Sequence, residues 1–388
     1  MYSKYKYLLA QIDLAAIIHN CRIIRGLIPA GCRLCPAVKC NAYGHGIEIV
    51  LPALRSAEAE MLCISAIFEA EQLLELGWDR PILLLGSEFS IYSGKEKQEL
   101  AHWIVEKQIR VIVTSKDDIE ALSKAAEFIK TPALVHVKLD SGMCRMGLSE
   151  QNLLGLITEI KCNNNIIIEG LYTHLATADE ADKTFAEYQL RRFKKFIEHL
   201  KKTGPRIPII HAANSGAIID LPDSSFNMVR PGISIYGCHP SPQMRNKPDL
   251  KPAMKVVSFL TLVKNIPAGS YIGYGCTYKA SRDMLIGLVP IGYGDGYDRR
   301  LSNIGKMTIA GQLVPVVGRV SMDQTVVDLT ELGRKGIHKV SAGQEVIVID
   351  NVRSAPNSIE SIAEMLVTVP NEIMTRLGPR IQRVQANL

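Results

Sequence analysis

A (β/α)8 barrel of the α/β class followed by a mainly β domain is the fold this sequence predicts, and three observations predict it. Between Leu34 and Arg230, short β-type runs alternate with longer helix-type runs, which implies parallel strands joined by right-handed crossovers. After about Pro240 the long helical runs stop, and short strands follow one another across turns rich in Gly, Pro and Asn. The 388 residues suffice for a barrel and an added domain, divided on this reading at 1–245 and 246–388. An open doubly wound sheet is the alternative, but the Gly-rich turn it needs after the first strand is missing.

The elements follow in order. An extended segment over Leu8–Asp13 and a helix over Ala15–Leu27 precede eight barrel strands. These are Leu34–Lys39, Met61–Ala66, Ile82–Leu85, Ile109–Val113, Ala133–Leu139, Ile166–Tyr172, Ile207–His211 and Phe226–Arg230. Amphipathic stretches such as Glu69–Leu76, Asp117–Ile129 and Phe185–Lys202 read as the helices between them. Ser241–Pro252, rich in Pro and polar residues, reads as a linker. Beyond it come strands at Val256–Val263, Met284–Pro290, Lys306–Ile309, Leu313–Val317, Gln324–Asp328 and Glu345–Ile349, closed by one helix at Ser358–Met365.

Composition narrows the function classes. Hydrophobic content of 47% and charged content of 22% describe an ordinary globular chain. The net charge of +6 is spread without a basic stripe interleaved with aromatics, which argues against nucleic-acid binding. Nine cysteines at irregular spacing, with no signal peptide, point to reduced thiols in the cytoplasm. Cys32 and Cys35 form a C-x-x-C, but no second pair completes a zinc site, so they read as core thiols and no metal is expected. No apolar run approaches the roughly 18 residues of a membrane span. The polar opening Tyr2–Tyr7 is compatible with a piece of a longer, membrane-anchored protein.

The strand ends carry the chemistry. Lys39 closes the first barrel strand, where desolvation favours a neutral amine able to attack a carbonyl; the plainer reading is a lysine snorkelling out of a strand end. Strand seven is followed by Ala212-Ala213-Asn214-Ser215-Gly216, and strand eight by Arg230-Pro231-Gly232-Ile233-Ser234. Small residues at these two places let backbone N–H groups approach a phosphate. A phosphate site facing a strand-end lysine is the layout pyridoxal phosphate requires. Arg145 after strand five, His174 after strand six and Arg230 after strand eight converge on the same mouth.

Together these residues resemble the alanine racemases, the fold-type III pyridoxal phosphate enzymes. The resemblance spans V-K-x-N-A-Y-G-H-G at 38–46, L-x-T-H-x-A-T-A-D at 171–179 and N-M-V-R-P-G-I-x-x-Y-G at 227–237. It continues through Gly273–Tyr278, Gly292–Gly296 and Arg319–Gln324, and so crosses both domains. It implies a pyridoxal 5'-phosphate enzyme acting as a homodimer with shared sites. Lys39 would bind the cofactor covalently and be one base; Tyr274, from the partner subunit, would be the other. Tyr43, Ser215, Gly232 and Ile233 would hold the phosphate, and Arg230, backed by His174, the pyridine nitrogen. Arg145 and the backbone N–H of Met322 would take the substrate carboxylate, and Lys138 matches a lysine that many members carry as a carbamate. The implied role is D-alanine supply for cell-wall peptidoglycan precursors.

One departure stands out. The family usually reads Y-E-[IL] near the C-terminus, and this chain reads Asn371-Glu372-Ile373. The smaller Asn371 leaves room and a hydrogen-bond partner for a hydroxymethyl group. The same Asn occurs in the serine racemase domains of vancomycin-resistance (VanT-type) proteins, so L- and D-serine join alanine as expected substrates. Two rival readings are a fold-type III amino-acid decarboxylase, which would place an acidic group where Arg230 stands, and a non-catalytic pyridoxal phosphate binding protein, which would lack the β domain and Tyr274.

Overall fold

The structure is a computed structural model and describes residues 7–334, 337 and 340–386. Of the polar opening only Tyr7 falls among them; the rest lies outside the described residues. β1 (Leu9–Ile12) leads into a helix, Leu14–Leu27, whose first turn is capped by the Asp13 carboxylate accepting from Ala16 N at 2.9 Å. Ile17, Cys21 and Ile24 recur at helical spacing and are buried, which seats this helix on the core.

Eight parallel strands then form the barrel. They are β2 (Arg33–Leu34), β3 (Leu62–Ile64), β4 (Ile82–Leu84), β5 (Arg110–Ile112), β6 (Ala133–Lys138), β7 (Ile166–Tyr172), β8 (Ile209–His211) and β9 (Met228–Val229). Their order is β2-β9-β8-β7-β6-β5-β4-β3. The ring closes where Ala37 bridges Cys63: Cys63 N donates to Pro36 O and Val38 N to Cys63 O, each at 2.9 Å. Such strands are covered on both faces, so β3 and β4 are apolar and buried throughout. Helices including Ile67–Glu75, Lys116–Ile129 and Thr184–Thr203 make the crossovers, within two residues of their predicted bounds.

The second half is β, as expected, but its strands are arranged across the whole chain. β10 (Met254–Phe259) and β11 (Leu262–Ile266) replace the single predicted run Val256–Val263. The run breaks because Leu260 N donates to Gln344 O while Thr261 N donates to Leu288 O, so the chain changes sheets there. β12 (Tyr271–Ile272) pairs with β13 (Tyr278–Lys279), and β14 (Met284–Val289) lies between β11 and β17 (Thr325–Asp328). β15 (Lys306–Ile309), β16 (Gln312–Pro315), β18 (Glu345–Ile349) and β19 (Gln382–Gln385) complete a six-stranded sheet in the order β16-β15-β18-β10-β1-β19. The chain's first strand therefore belongs to its last sheet, antiparallel to β10 and parallel to β19. The linker is pinned by Arg353, whose guanidinium donates to Gly237 O and Leu250 O at 2.6 Å each. Cys32 and Cys35 are buried, and no group of metal-binding side chains occurs among the described residues. No helix among the described residues is long and apolar enough to cross a membrane.

Candidate active site

The strand predicted to carry Lys39 ends early. After Ala37 the chain enters a left-handed turn in which Cys40, Asn41, Ala42 and Tyr43 all have φ between 52° and 54°. Each L-residue in that conformation costs about 1–2 kcal/mol, so the turn persists only because its surroundings hold it. The buried Glu69 carboxylate does much of this: it accepts from Cys40 N at 2.6 Å and also from Ser65 N and Ala66 N at 2.8 and 3.1 Å. Asn41 Oδ1 accepts from Ile47 N at 2.8 Å. Gly44 closes the turn at φ 79°, where a Cβ would lie 2.3 Å from Met374 O. The helix Pro370–Thr375, which carries the half-buried Asn371, thus packs directly on the turn that carries Lys39. Lys39 itself is exposed in this chain, so the expected desolvation at a strand end is not met by the barrel alone.

Opposite the turn lies a cradle of donors. Ser215 Oγ accepts from Gly232 N at 2.9 Å, Ser234 N at 3.3 Å and Ser234 Oγ at 3.0 Å. The Tyr43 ring stacks on Tyr236 with centroids 4.9 Å apart, and its hydroxyl lies over Gly232, where a Cβ would meet it at 2.4 Å. Ile233 opens the 3-10 turn Ile233–Tyr236 beside them. No carboxylate hydrogen-bonds to this cradle among the described residues, which suits it to an anion.

Cations line the rest of the mouth. Arg230 is buried and donates to Thr173 O at 3.0 Å, Ala212 O at 3.1 Å and His211 Nδ1 at 2.5 Å, with His174 Nδ1 3.4 Å away. Burial holds His174 well below the usual imidazole range, helped by Arg230, Lys138 and Arg145. Lys138, on β6, is buried too; burial, then Arg230 and Arg145, bring its ammonium down to about 8. Arg145 is exposed on the following loop. Tyr172 sits between these charges, its ring 5.5 Å from Lys138 Nζ and 5.2 Å from Arg230 Cζ. Its buried hydroxyl has no hydrogen-bond partner among the described residues. An orphan donor, a carboxylate-free cradle and three clustered cations fit a ligand bearing a phosphate and a carboxylate.

Lys138 gives a pH signature. Its folded value lies below that of a free lysine, so the unfolded chain holds a proton that the folded chain has released between about 8 and 10.5. The cost of burying the ammonium is present in full below that window and is relieved as pH rises through it. Urea midpoints of the cofactor-free chain should rise across the window, and Lys138→Met should flatten that rise.

Tyr274 and Met322 lie elsewhere. Tyr274 is 71% exposed and Met322 54% exposed, both in the second half of the chain. Their segments share one surface: a Cβ on Gly275 would lie 2.7 Å from Arg319 Nη1, Tyr293 N donates to Ser321 O at 3.0 Å, and Gly294 N to Met322 O at 2.8 Å. No hydrogen bond or ring contact joins either side chain to the barrel among the described residues. A separate cavity of about 500 Å³ beneath the linker, bordered by His239, Arg353 and Glu360, shares no residue with the mouth.

Glu69, Tyr172, His136, Glu169 and His211 carry no functional signal in the sequence taken singly. The alternation of β6 was the available signal, since His136 and Lys138 are two residues apart and share a face.

The alanine racemase N-terminal domain family matches residues 12–240, and the alanine racemase C-terminal domain family matches residues 253–385. The alanine racemase of Clostridium novyi (strain NT) is 37% identical over 386 residues, covering 99% of this chain and 96% of that protein. The crystal structure of alanine racemase from the D-cycloserine producing Streptomyces lavendulae superposes with a TM-score of 0.89 at 31% identity, covering 99% and 98% of the two chains. That of alanine racemase from Bartonella henselae, with covalently bound pyridoxal phosphate, does so with a TM-score of 0.84 at 29% identity, covering 98% and 100%. With both family domains matched in order along nearly its whole length, the chain belongs to the alanine racemase family.

Proposed function

We propose that the protein is a pyridoxal 5'-phosphate-dependent racemase of alanine and serine, working as a homodimer with a site built from two chains. The observation that carries this reading is the cradle of Ser215, Gly232 and Ile233 against the hydroxyl of Tyr43, the last residue of the lysine turn, with Arg230 buried two residues before Gly232. The division at 1–245 and 246–388 assigns the cofactor to the barrel and the second base to the β domain. When bound, the cofactor withdraws electrons from the substrate's α-carbon and so acidifies its proton. Lys39 would hold the cofactor covalently in the resting site and, once released as a free amine, would take the α-proton from one face. Tyr274 of the partner subunit faces the other side and returns a proton there. Two bases on opposite faces suffice for inversion. Arg230 is a permanent donor without an acceptor, so it disfavours a proton on the pyridine nitrogen and limits side reactions. Arg145 and the Met322 N–H receive the substrate carboxylate.

Lys138 fits a carbamate. A neutral amine adds to carbon dioxide with loss of one proton, and the resulting anion offsets Arg145 and Arg230 and offers Tyr172 an acceptor. D-alanine and D-serine made here suit cell-wall precursor synthesis; a place in vancomycin resistance rests on Asn371 alone.

The test is deuterium uptake at the α-carbon of L-alanine and L-serine in heavy water with added cofactor, for wild type and Asn371→Tyr. Wild type should exchange both. The tyrosine variant should lower the serine-to-alanine ratio of kcat/KM by about 10–200-fold, the range a pocket gains from one small group. An unchanged ratio would remove serine from the reading, and exchange of neither substrate would remove racemisation.

A further inference from the structure

A file of charged and titratable side chains runs through the barrel interior to Arg230. Arg110 Nε and Nη2 donate to Glu169 Oε2 and Oε1 at 3.0 and 3.2 Å. Glu169 Oε2 lies 3.3 Å from His136 Nε2, and His136 Nδ1 lies 2.9 Å from His211 Nε2. His211 Nδ1 is in turn 2.5 Å from Arg230 Nη1.

The two ends determine every proton between them. A guanidinium only donates and an ionised carboxylate only accepts. His211 must therefore present a bare Nδ1 to Arg230 and carry its proton on Nε2. That N–H points at His136 Nδ1, which is bare in its turn, and His136 Nε2–H points at Glu169. The assignment requires neutral rings and an ionised carboxylate. Burial lowers both imidazoles, with Arg230 adding to the effect at each. Burial pushes Glu169 up, but hydrogen bonds from His136 and Arg110 outweigh it and bring the carboxyl down to about 2.

The barrel is shaped around this file. A Cβ on Gly170 would lie 2.2 Å from His136 Nδ1, so the ring occupies space that only glycine leaves. The β6–β7 register shifts between Val135 and His136, where the ring enters. Tyr172 stacks on His211 with centroids 4.8 Å apart and planes 6° from parallel. Every other donor contact of Arg230 goes to a carbonyl or to His174, and no carboxylate touches it among the described residues. Glu169, two rings away, is the carboxylate that ends the file, and its own charge is met by Arg110.

We propose that Glu169 and His136 are positioning residues: they form a one-way hydrogen-bond file that keeps His211 an acceptor and so fixes the direction in which the Arg230 guanidinium points toward the cofactor ring. A proton can pass to the ring only if both imidazoles reverse their tautomers together, which the charged ends oppose. The role in catalysis rests on the racemase reading; the placement of protons does not.

Neutron diffraction from deuterium-exchanged crystals tests the file directly. Deuterium on Nε2 and none on Nδ1 is expected for both His136 and His211; deuterium on Nδ1 of either ring overturns the proposal, whatever the enzyme catalyses. The role is tested with Glu169→Gln, which keeps an acceptor but removes the charge. A fall in kcat of about ten-fold, with KM for alanine held within about two-fold and a shifted absorption band of the bound cofactor, is expected. An unchanged kcat and band overturn the positioning role. If that variant does not fold, Glu169→Asp, which keeps the charge but shortens its reach toward His136, is read by the same kcat, KM and absorption band. A wild type that racemises nothing would count against the racemase reading and leave the neutron result standing.

Discussion

Replacing Lys39 with alanine is expected to lower kcat for racemisation by on the order of 10⁴-fold or more, because one residue then loses two tasks, cofactor attachment and proton abstraction. The turn around position 39 should survive the change. Its left-handed conformation lies at Cys40–Tyr43 and is held by Glu69, Asn41 and the close approach of Gly44 to Met374, none of which uses the lysine side chain. Lys39 is exposed, so its truncation opens no cavity. The measurement is D-alanine formation from L-alanine together with cofactor retention through a desalting column. The variant should lose both. Activity within ten-fold of wild type would show that another amine does the work.

The second large effect is at Tyr274. Tyr274→Phe should cost about 10²–10⁴ in kcat, the contribution of one general acid–base group. Tyr274 is 71% exposed in the single chain, and its change to Phe should alter that chain's folding stability by no more than about 0.5 kcal/mol. A rate loss of that size then has to come from chemistry. The variant also separates the two faces of the reaction. Lys39 remains competent, so one enantiomer of alanine should exchange its α-proton with heavy water faster than it inverts. Equal loss of exchange from both enantiomers would contradict a division of labour between two bases.

Much of this was legible in the residues. Ile166–Tyr172, Lys306–Ile309 and Glu345–Ile349 form strands at the predicted bounds, because each follows an Asn- or Gly-containing turn signal and carries β-branched residues. The donor loops after β8 and β9 were legible for a similar reason: small residues at those two strand ends are where a parallel barrel binds anions. What escaped depends on contacts distant in sequence. The left-handed turn at Cys40–Tyr43 relies on Glu69, and nothing local to Lys39 announces it. The place of β1 between β10 and β19 joins the two ends of the chain and leaves no trace in local periodicity. Val256–Val263 reads as one strand because a change of sheet at Leu260–Thr261 needs only new partners, not new residue types. His136, Glu169 and His211 were invisible singly, since one polar residue inside a strand is unremarkable until its neighbours from other strands are known. Gly170 was the missing clue, a glycine within a strand marking the close approach of the His136 ring.

On the proposed reading neither chain holds a complete site: the lysine turn and the donor cradle would come from the barrel of one subunit, and Tyr274 from the β domain of the other. Subunit mixing tests it. Lys39→Ala and Tyr274→Phe homodimers each contain two defective sites. In a mixed dimer, the first variant's Tyr274 meets the second variant's Lys39, and one intact site forms opposite one doubly defective site. An equal mixture allowed to exchange subunits fully should therefore regain about a quarter of wild-type activity, since half the dimers are mixed and each carries one working site. Activity no greater than the mean of the two inactive variants, with exchange verified by native mass spectrometry, would contradict a site shared between subunits.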